Sequence, residues 1–170
     1  MGKKELISLI GMPGSGKSTI GRLLAKRLDW DYVDMDDYIQ EISGCSIPVL
    51  FDQGEAVFRR WETEACHQLS LRRRAVIACG GGVVIHPENL VALRAHGWIA
   101  YIDRPLEHII DDIEIGTRPL LKDGAGRLFN LYEQRKDLYR QGADWHIANT
   151  GPMEAVVQEL LECLKGSEAE

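Results

Sequence analysis

The sequence has too few cations for a polyanion partner: 20 Lys and Arg stand against 26 Asp and Glu in 170 residues, a net charge of −6. Affinity for nucleic acid comes chiefly from neutralising phosphates with Lys and Arg, so DNA or RNA is not the expected partner. Paired cysteines are missing too. Cys45, Cys66, Cys79 and Cys163 form no C-x-x-C pair and have no histidine at zinc-finger spacing, which excludes a metal knuckle or a thioredoxin-type centre and leaves reduced packing thiols. No apolar run approaches the roughly 18 residues of a membrane span. Met1-Gly2-Lys3-Lys4 imitates the start of a signal peptide, but the run Leu6 to Ile10 stops at Gly11, too short for its apolar region. Leu6 also stands where a myristoylation signal needs Ser or Thr. The expected home is the cytoplasm, without membrane contact.

What is present describes a globular chain. With 45% hydrophobic and 27% charged residues, disorder and fibrous classes fall away. A chain of this length buries roughly 70% of its unfolded surface and needs no covalent staples. There is no internal repeat and no dividing linker, so residues 1–170 are expected to form a single domain, and no long apolar stripe is left over, so a monomer is expected.

Short β-prone runs alternate with helical periods. Glu5 to Ile10, Asp31 to Asp34, Arg74 to Cys79, Trp98 to Asp103 and Trp145 to Ala148 read as strands. Helical patterns cover Ser18 to Leu28, about Asp37 to Ile42, about Gly54 to Leu71, about Pro87 to Ala95, about Arg127 to Gln141 and Met153 to Leu164, with a further helix opened by Pro105 and a frayed tail from Gly166 to Glu170. Strand and helix in alternation predict a three-layer α/β sandwich around a mainly parallel sheet. Between Glu114 and Gly126 the period is lost and Gly116, Pro119, Gly124 and Gly126 gather, so a lid is expected over about residues 113–126.

Gly11-Met12-Pro13-Gly14-Ser15-Gly16-Lys17-Ser18 fits G-x-x-x-x-G-K-[ST] and lies between an expected strand and an expected helix. Glycines let successive N–H groups turn inward, the following helix adds its positive end, and Lys17 carries a mobile charge to the β/γ-phosphates. Ser18 can place its hydroxyl on Mg²⁺. A Gly-rich turn with an incidental lysine is the competing reading, and the complete motif in its proper context argues against it. No Asn-Lys-x-Asp guanine reader is present. Asp103 closes a strand and could be a Mg²⁺ acid, but Arg104-Pro105 follows at once, and a plain solvated strand end is the stronger reading.

Asp34-Met35-Asp36 is the better acidic pair. It ends the second strand, where ligands of open α/β sheets bind, and residues two apart on extended chain face one way. One acid can serve Mg²⁺ and the other a substrate hydroxyl; helix capping by Asp36 and Asp37 is the bland alternative.

Gly11 to Ser18, Asp34-Met35-Asp36, Phe58-Arg59-Arg60, Gly80-Gly81-Gly82, Arg118-Pro119-Leu120-Leu121 and Arg135-x-x-Leu138-Tyr139, in this order and spacing, resemble shikimate kinase along nearly the whole chain. The resemblance implies a P-loop kinase fold with a five-stranded parallel sheet, and transfer of the ATP γ-phosphate to the 3-hydroxyl of shikimate with Mg²⁺ as cofactor. It implies that Gly14, Ser15, Gly16, Lys17, Ser18 and Thr19 hold the nucleotide and that Arg118 reaches its phosphates from the lid. Ser18 and Asp34 would serve Mg²⁺, and Asp36 the shikimate hydroxyls as orienting group or base. Arg59 and Arg135 would hold the carboxylate, with Gly81 offering backbone contact, and residues 35–71 would form the acceptor region. Lys17, Asp36 and Arg118 are then the catalytic candidates. The chain departs from the family where Asp111, Asp112 and Glu114 replace basic residues before Arg118-Pro119, and where Asn149-Thr150-Gly151-Pro152 carries no arginine.

On the residues alone, other readings stay open. Arg59 and Arg60 share a helix with Glu55, Glu62 and Glu64, a pattern that usually makes a solvated charged face, though Glu62 at i+3 could steady Arg59. Arg135 could pair weakly with Glu133 or Asp137. The histidines show no ligand spacing, and Trp30, Trp61, Trp98 and Trp145 read as packing residues. The alternatives in function are a kinase of another small hydroxy acid such as gluconate, and a nucleotide-binding module without catalysis.

Overall fold

Leu6–Ile10 is buried at every position, as a strand covered on both faces must be. Its residues alternate between two cores: Leu6 and Ile10 join one, Ile7 and Leu9 the other. In the computed structural model, which describes residues 2–115 and 124–169, this strand (β1) is the centre of a parallel sheet. With β2 (Asp31–Asp34), β3 (Ala75–Ala78), β4 (Trp98–Asp103) and β5 (Trp145–Ala148) the order is β2-β3-β1-β4-β5.

Helices α1 (Lys17–Leu28) and α8 (Met153–Glu168) cover one face through Ile20, Leu24, Val156, Val157 and Leu160. The other face carries α2 (Met35–Ser43), α3 (Ile47–Asp52), α4 (Glu55–Leu69), α5 (Pro87–His96), α6 (Leu106–Ile115) and α7 (Gly124–Gly142), whose Met35, Leu50, Phe58, Leu93, Ile109 and Tyr139 share a core. The expected α/β sandwich with five parallel strands is what forms. The chain leaves β1 for β2 on one side, returns to β3 and then crosses past β1 to β4 on the other, and that change of direction beside β1 opens a crevice at the carboxyl ends of the strands.

Several boundaries differ from the sequence reading for identifiable reasons. The second helix starts at Met35 because Asp34, not Asp36 or Asp37, is its cap: Asp34 Oδ1 accepts the Asp37 N–H at 3.0 Å. Asp36 therefore lies in a helical first turn, and strand alternation is not what aims it. The short α3 escaped the periodic reading; Ser46 caps it and its one buried residue is Leu50. The tail expected to fray stays helical to Glu168, where Lys3 pairs with Glu168 at 2.9 Å and Ser167 Oγ donates to the Cys163 carbonyl. At the expected lid, 113–115 end α6 and 124–126 begin α7; the remainder, Arg118 included, falls outside the described residues. All four cysteines are unpaired thiols, and no described helix is long and apolar enough to cross a membrane.

Candidate active site

The loop between β1 and α1 is shaped by residues that few side chains could replace. Gly14 and Gly16 have φ of 80° and 98°, a region that costs other residues strain, and they let the chain curl above the first turn of α1. Lys17 is the first residue of that helix and folds back over the loop, its Nζ donating to the carbonyls of Gly11 at 2.7 Å and Met12 at 2.8 Å. It is 9% exposed. Burial pushes its ammonium down to about 8, against the pull of the carboxylates of Asp36 and Asp34. Gly14 to Thr19 line a cavity of about 330 Å³ together with Arg104, Asp112 and Met153. The arrangement is an anion cradle with an embedded cation.

Two props of this loop had no local signal. Asn149, 5% exposed, follows β5 and donates its amide to the Ser15 carbonyl at 2.9 Å. Arg104 follows β4 and donates to the Gly14 carbonyl at 2.9 Å. Asp103, expected as a plain strand end, accepts from Tyr101 at 3.2 Å and lies 2.7 Å from His146 Nε2.

The second half of the site is organised by the turn Gly80-Gly81-Gly82 after β3. A Cβ on Gly80 would sit 3.3 Å from Asp36 Oδ1 and 3.4 Å from Glu62 Oε2; one on Gly81 would sit 3.4 Å from the Arg135 guanidinium; one on Gly82 would collide with that of Arg59. The missing side chains thus let two guanidinium groups and two carboxylates close around one backbone turn. Asp36 is raised above the usual carboxylate range by burial and then by Asp34 beside it, while Lys17 and Arg59 pull the other way.

Arg59 does not lie on a solvated face. Its side chain is 11% exposed, and it donates to Glu62 Oε1 at 2.9 Å and to Glu55 Oε1 at 3.2 Å. Glu62 is fully buried, its carboxyl raised by desolvation, and its other oxygen has no hydrogen-bond partner among the described residues. Arg135 is likewise not in the weak surface pairs considered for it, since Glu133 pairs with Lys136 at 3.1 Å and Asp137 with Arg140 at 4.0 Å.

Tyr139 ties the turn to the cradle. It is wholly buried, stacks on Tyr101 with ring centroids 5.2 Å apart, and its hydroxyl donates to the Gly81 carbonyl at 2.6 Å. Tyr139→Phe removes that donor from a part-buried carbonyl, at a cost of about 0.5–1.5 kcal/mol. The expected outcome is a lowered melting temperature and, in steady-state kinetics, a weaker acceptor with nearly unchanged ATP dependence; equal weakening of both would show that Tyr139 supports the whole site rather than the turn.

A family model described as shikimate kinase matches residues 13–165. A shikimate kinase of Clostridium beijerinckii is 44% identical over 161 residues, covering 95% of each chain. The structure of an Acinetobacter baumannii shikimate kinase in complex with shikimate superimposes with TM-score 0.87 at 31% identity, over 98% of this chain and 96% of that one. An Aquifex aeolicus shikimate kinase structure gives 0.83 at 38% identity, over 96% and 98%.

Proposed function

The chain belongs to the shikimate kinase family, and we propose on that footing that it transfers the ATP γ-phosphate to the 3-hydroxyl of shikimate, giving shikimate 3-phosphate and ADP. The observation that carries the acceptor side is the closing of Arg59, Arg135 and Asp36 around the Gly80–Gly82 turn. A small hydroxylated ring acid needs this pairing of groups. Planar guanidinium forks meet its carboxylate in two-point geometry, and an aspartate accepts from its hydroxyls.

Residue roles are part of the same proposal. Loop amides from Gly14 to Thr19 hold the triphosphate and Lys17 neutralises charge on the transferred group. Arg59, Arg135 and the Gly81 backbone fix the acceptor from the helical region 35–71 and α7. Asp36 orients the acceptor hydroxyl and takes its proton as the new P–O bond forms, and its raised pKa suits that base role. Arg118, on the segment 113–126, covers the phosphates and excludes water that would otherwise compete as acceptor. Because the transition state is loose, positioning and charge neutralisation supply most of the acceleration.

Mg²⁺ belongs to the same reading. The described residues contain no cluster of three or more His, Cys, Asp or Glu that could cage an ion. One Asp34 oxygen is engaged in the helix cap, leaving the other, and Ser18 opens α1. That sparse oxygen set fits an ion that keeps its waters and arrives on phosphates, held by Ser18 and Asp34 directly or through water; when bound it would neutralise phosphate charge. A monomer working in the cytoplasm completes the proposal.

The test is ADP release with labelled ATP across a panel of acceptors containing shikimate, gluconate and other small hydroxy acids. Shikimate-dependent release with labelled shikimate 3-phosphate is expected. Release driven by gluconate with shikimate inert would overturn the acceptor, and ATP binding without release on any acceptor would overturn catalysis.

A further inference from the structure

Arg104 stands at the rim of the anion cradle. Its Nη1 donates to the Gly14 carbonyl at 2.9 Å, which fixes one end of the guanidinium against the loop. Its Nη2 meets Asp112 Oδ2, on α6, at 2.5 Å. The Arg104 side chain is only 21% exposed while Asp112 is 61% exposed, so the cation is set into the wall and the carboxylate covers it from the solvent side. Both residues line the same 330 Å³ cavity as Lys17, Ser18 and Thr19. A guanidinium carries more donors than these two bonds engage, and it favours phosphate oxygens as readily as carboxylates.

We propose that Arg104 is a polyphosphate-binding residue of the nucleotide site and that Asp112 occupies it until nucleotide arrives, so that the two members of this ion pair act on ATP affinity with opposite sign. This rests on the reading of the cradle as the ATP site. A triphosphate concentrates more charge than one exposed carboxylate and displaces it, while the bond to Gly14 keeps the guanidinium aimed at the cavity. Asp112 swings away on an exposed rotamer, which relieves repulsion between it and the incoming anion. A pair that merely braced α6 against the loop would behave differently: removing either partner would weaken the site in the same direction.

The experiment is equilibrium titration with ATP and ADP by calorimetry, without acceptor, alongside steady-state kinetics with shikimate. Arg104→Ala is expected to weaken ATP about tenfold or more, with the shikimate KM unchanged, and Arg104→Lys to recover part of the loss. Asp112→Asn is expected to tighten ATP, by about threefold at low salt and less at high salt. Unchanged ATP affinity in Arg104→Ala, or weakening by Asp112→Asn comparable with that of Arg104→Ala, overturns the proposal. If Arg104→Ala fails to fold, the sign of the Asp112→Asn effect decides by itself. Titration needs no acceptor, so an error about shikimate would leave this result standing, whereas a wild-type protein that bound no ATP would remove the nucleotide reading first.

Discussion

Lys17→Met is expected to lower phosphoryl transfer by about 10²- to 10³-fold or more with the fold retained. The ammonium sits on two neutral carbonyls, those of Gly11 and Met12, at 2.7 and 2.8 Å, in a side chain 9% exposed. Its water has already been replaced by fixed dipoles, so little solvent has to reorganise when the ammonium meets negative charge on the transferred group. Methionine keeps the length and apolar stem of the side chain and removes the charge. Two carbonyls lose a donor, but the desolvation cost of the buried cation disappears with it, and these effects oppose each other in stability. Single-turnover transfer within tenfold of wild type, alongside unchanged circular dichroism, would take Lys17 out of the transfer step.

The same residue sets a pH limb. With its ammonium lowered to about 8 in the free protein, kcat/KM for ATP is expected to fall as pH rises through that value, while kcat holds to higher pH because bound phosphates stabilise the proton. Lys17→Met should lack that limb. For stability the sign is opposite: between about 8 and the ordinary 10.5 the unfolded chain binds the proton that the native state has released, so resistance to denaturant from this group rises with pH across that window. Both profiles are accessible by stopped-flow kinetics and urea titration.

Local spacing carried much of this site and distance hid the rest. The Gly-Lys-Ser loop between strand and helix is legible because its chemistry is local: glycines, helix start and lysine are consecutive. The Arg59–Glu62 pairing is legible for the same reason, three residues apart on one helical face. Asn149 reaches Ser15 across 134 residues, Arg104 reaches Gly14 across 90 and Tyr139 reaches Gly81 across 58, and no periodicity encodes such meetings. Sheet order creates the first two, by bringing the ends of β4 and β5 beside the loop after β1, and the packing of α7 over the turn after β3 creates the third. Asp36 reaches Gly80 by another path than strand alternation, which is what aims it in the sequence: the cap at Asp34 turns the chain into helix, and the first turn brings Asp36 to the turn after β3. Arg59 read as a surface charge in the sequence because burial depends on the Gly80–Gly82 turn, which lies elsewhere in the chain.

Arg59→Ala is expected to act twice, on the acceptor and on the fold, and the two effects can be separated. Loss of a charged fork from the acceptor site should raise the shikimate KM by about 10- to 100-fold with the ATP KM little changed. Equal effects on both substrates would remove Arg59 from the carboxylate site. The substitution also leaves Glu62 buried without its cation, and breaking such a pair costs about 3–5 kcal/mol. Glu62 escapes by keeping its proton. Its carboxyl is already raised by burial with Arg59 pulling it down, so removing the guanidinium raises it further. An acid whose folded pKa lies above its unfolded value contributes most below the unfolded pKa and loses that contribution as pH rises through the folded one. Arg59→Ala should therefore melt progressively lower from about pH 5 upwards, more steeply than wild type. Arg59→Ala/Glu62→Gln removes the titrating group: its melting temperature should recover in part and lose that pH dependence, while the shikimate KM stays high. Recovery of acceptor binding in the double variant would mean that the guanidinium serves only to neutralise Glu62, and that the ring acid is held by Arg135 alone.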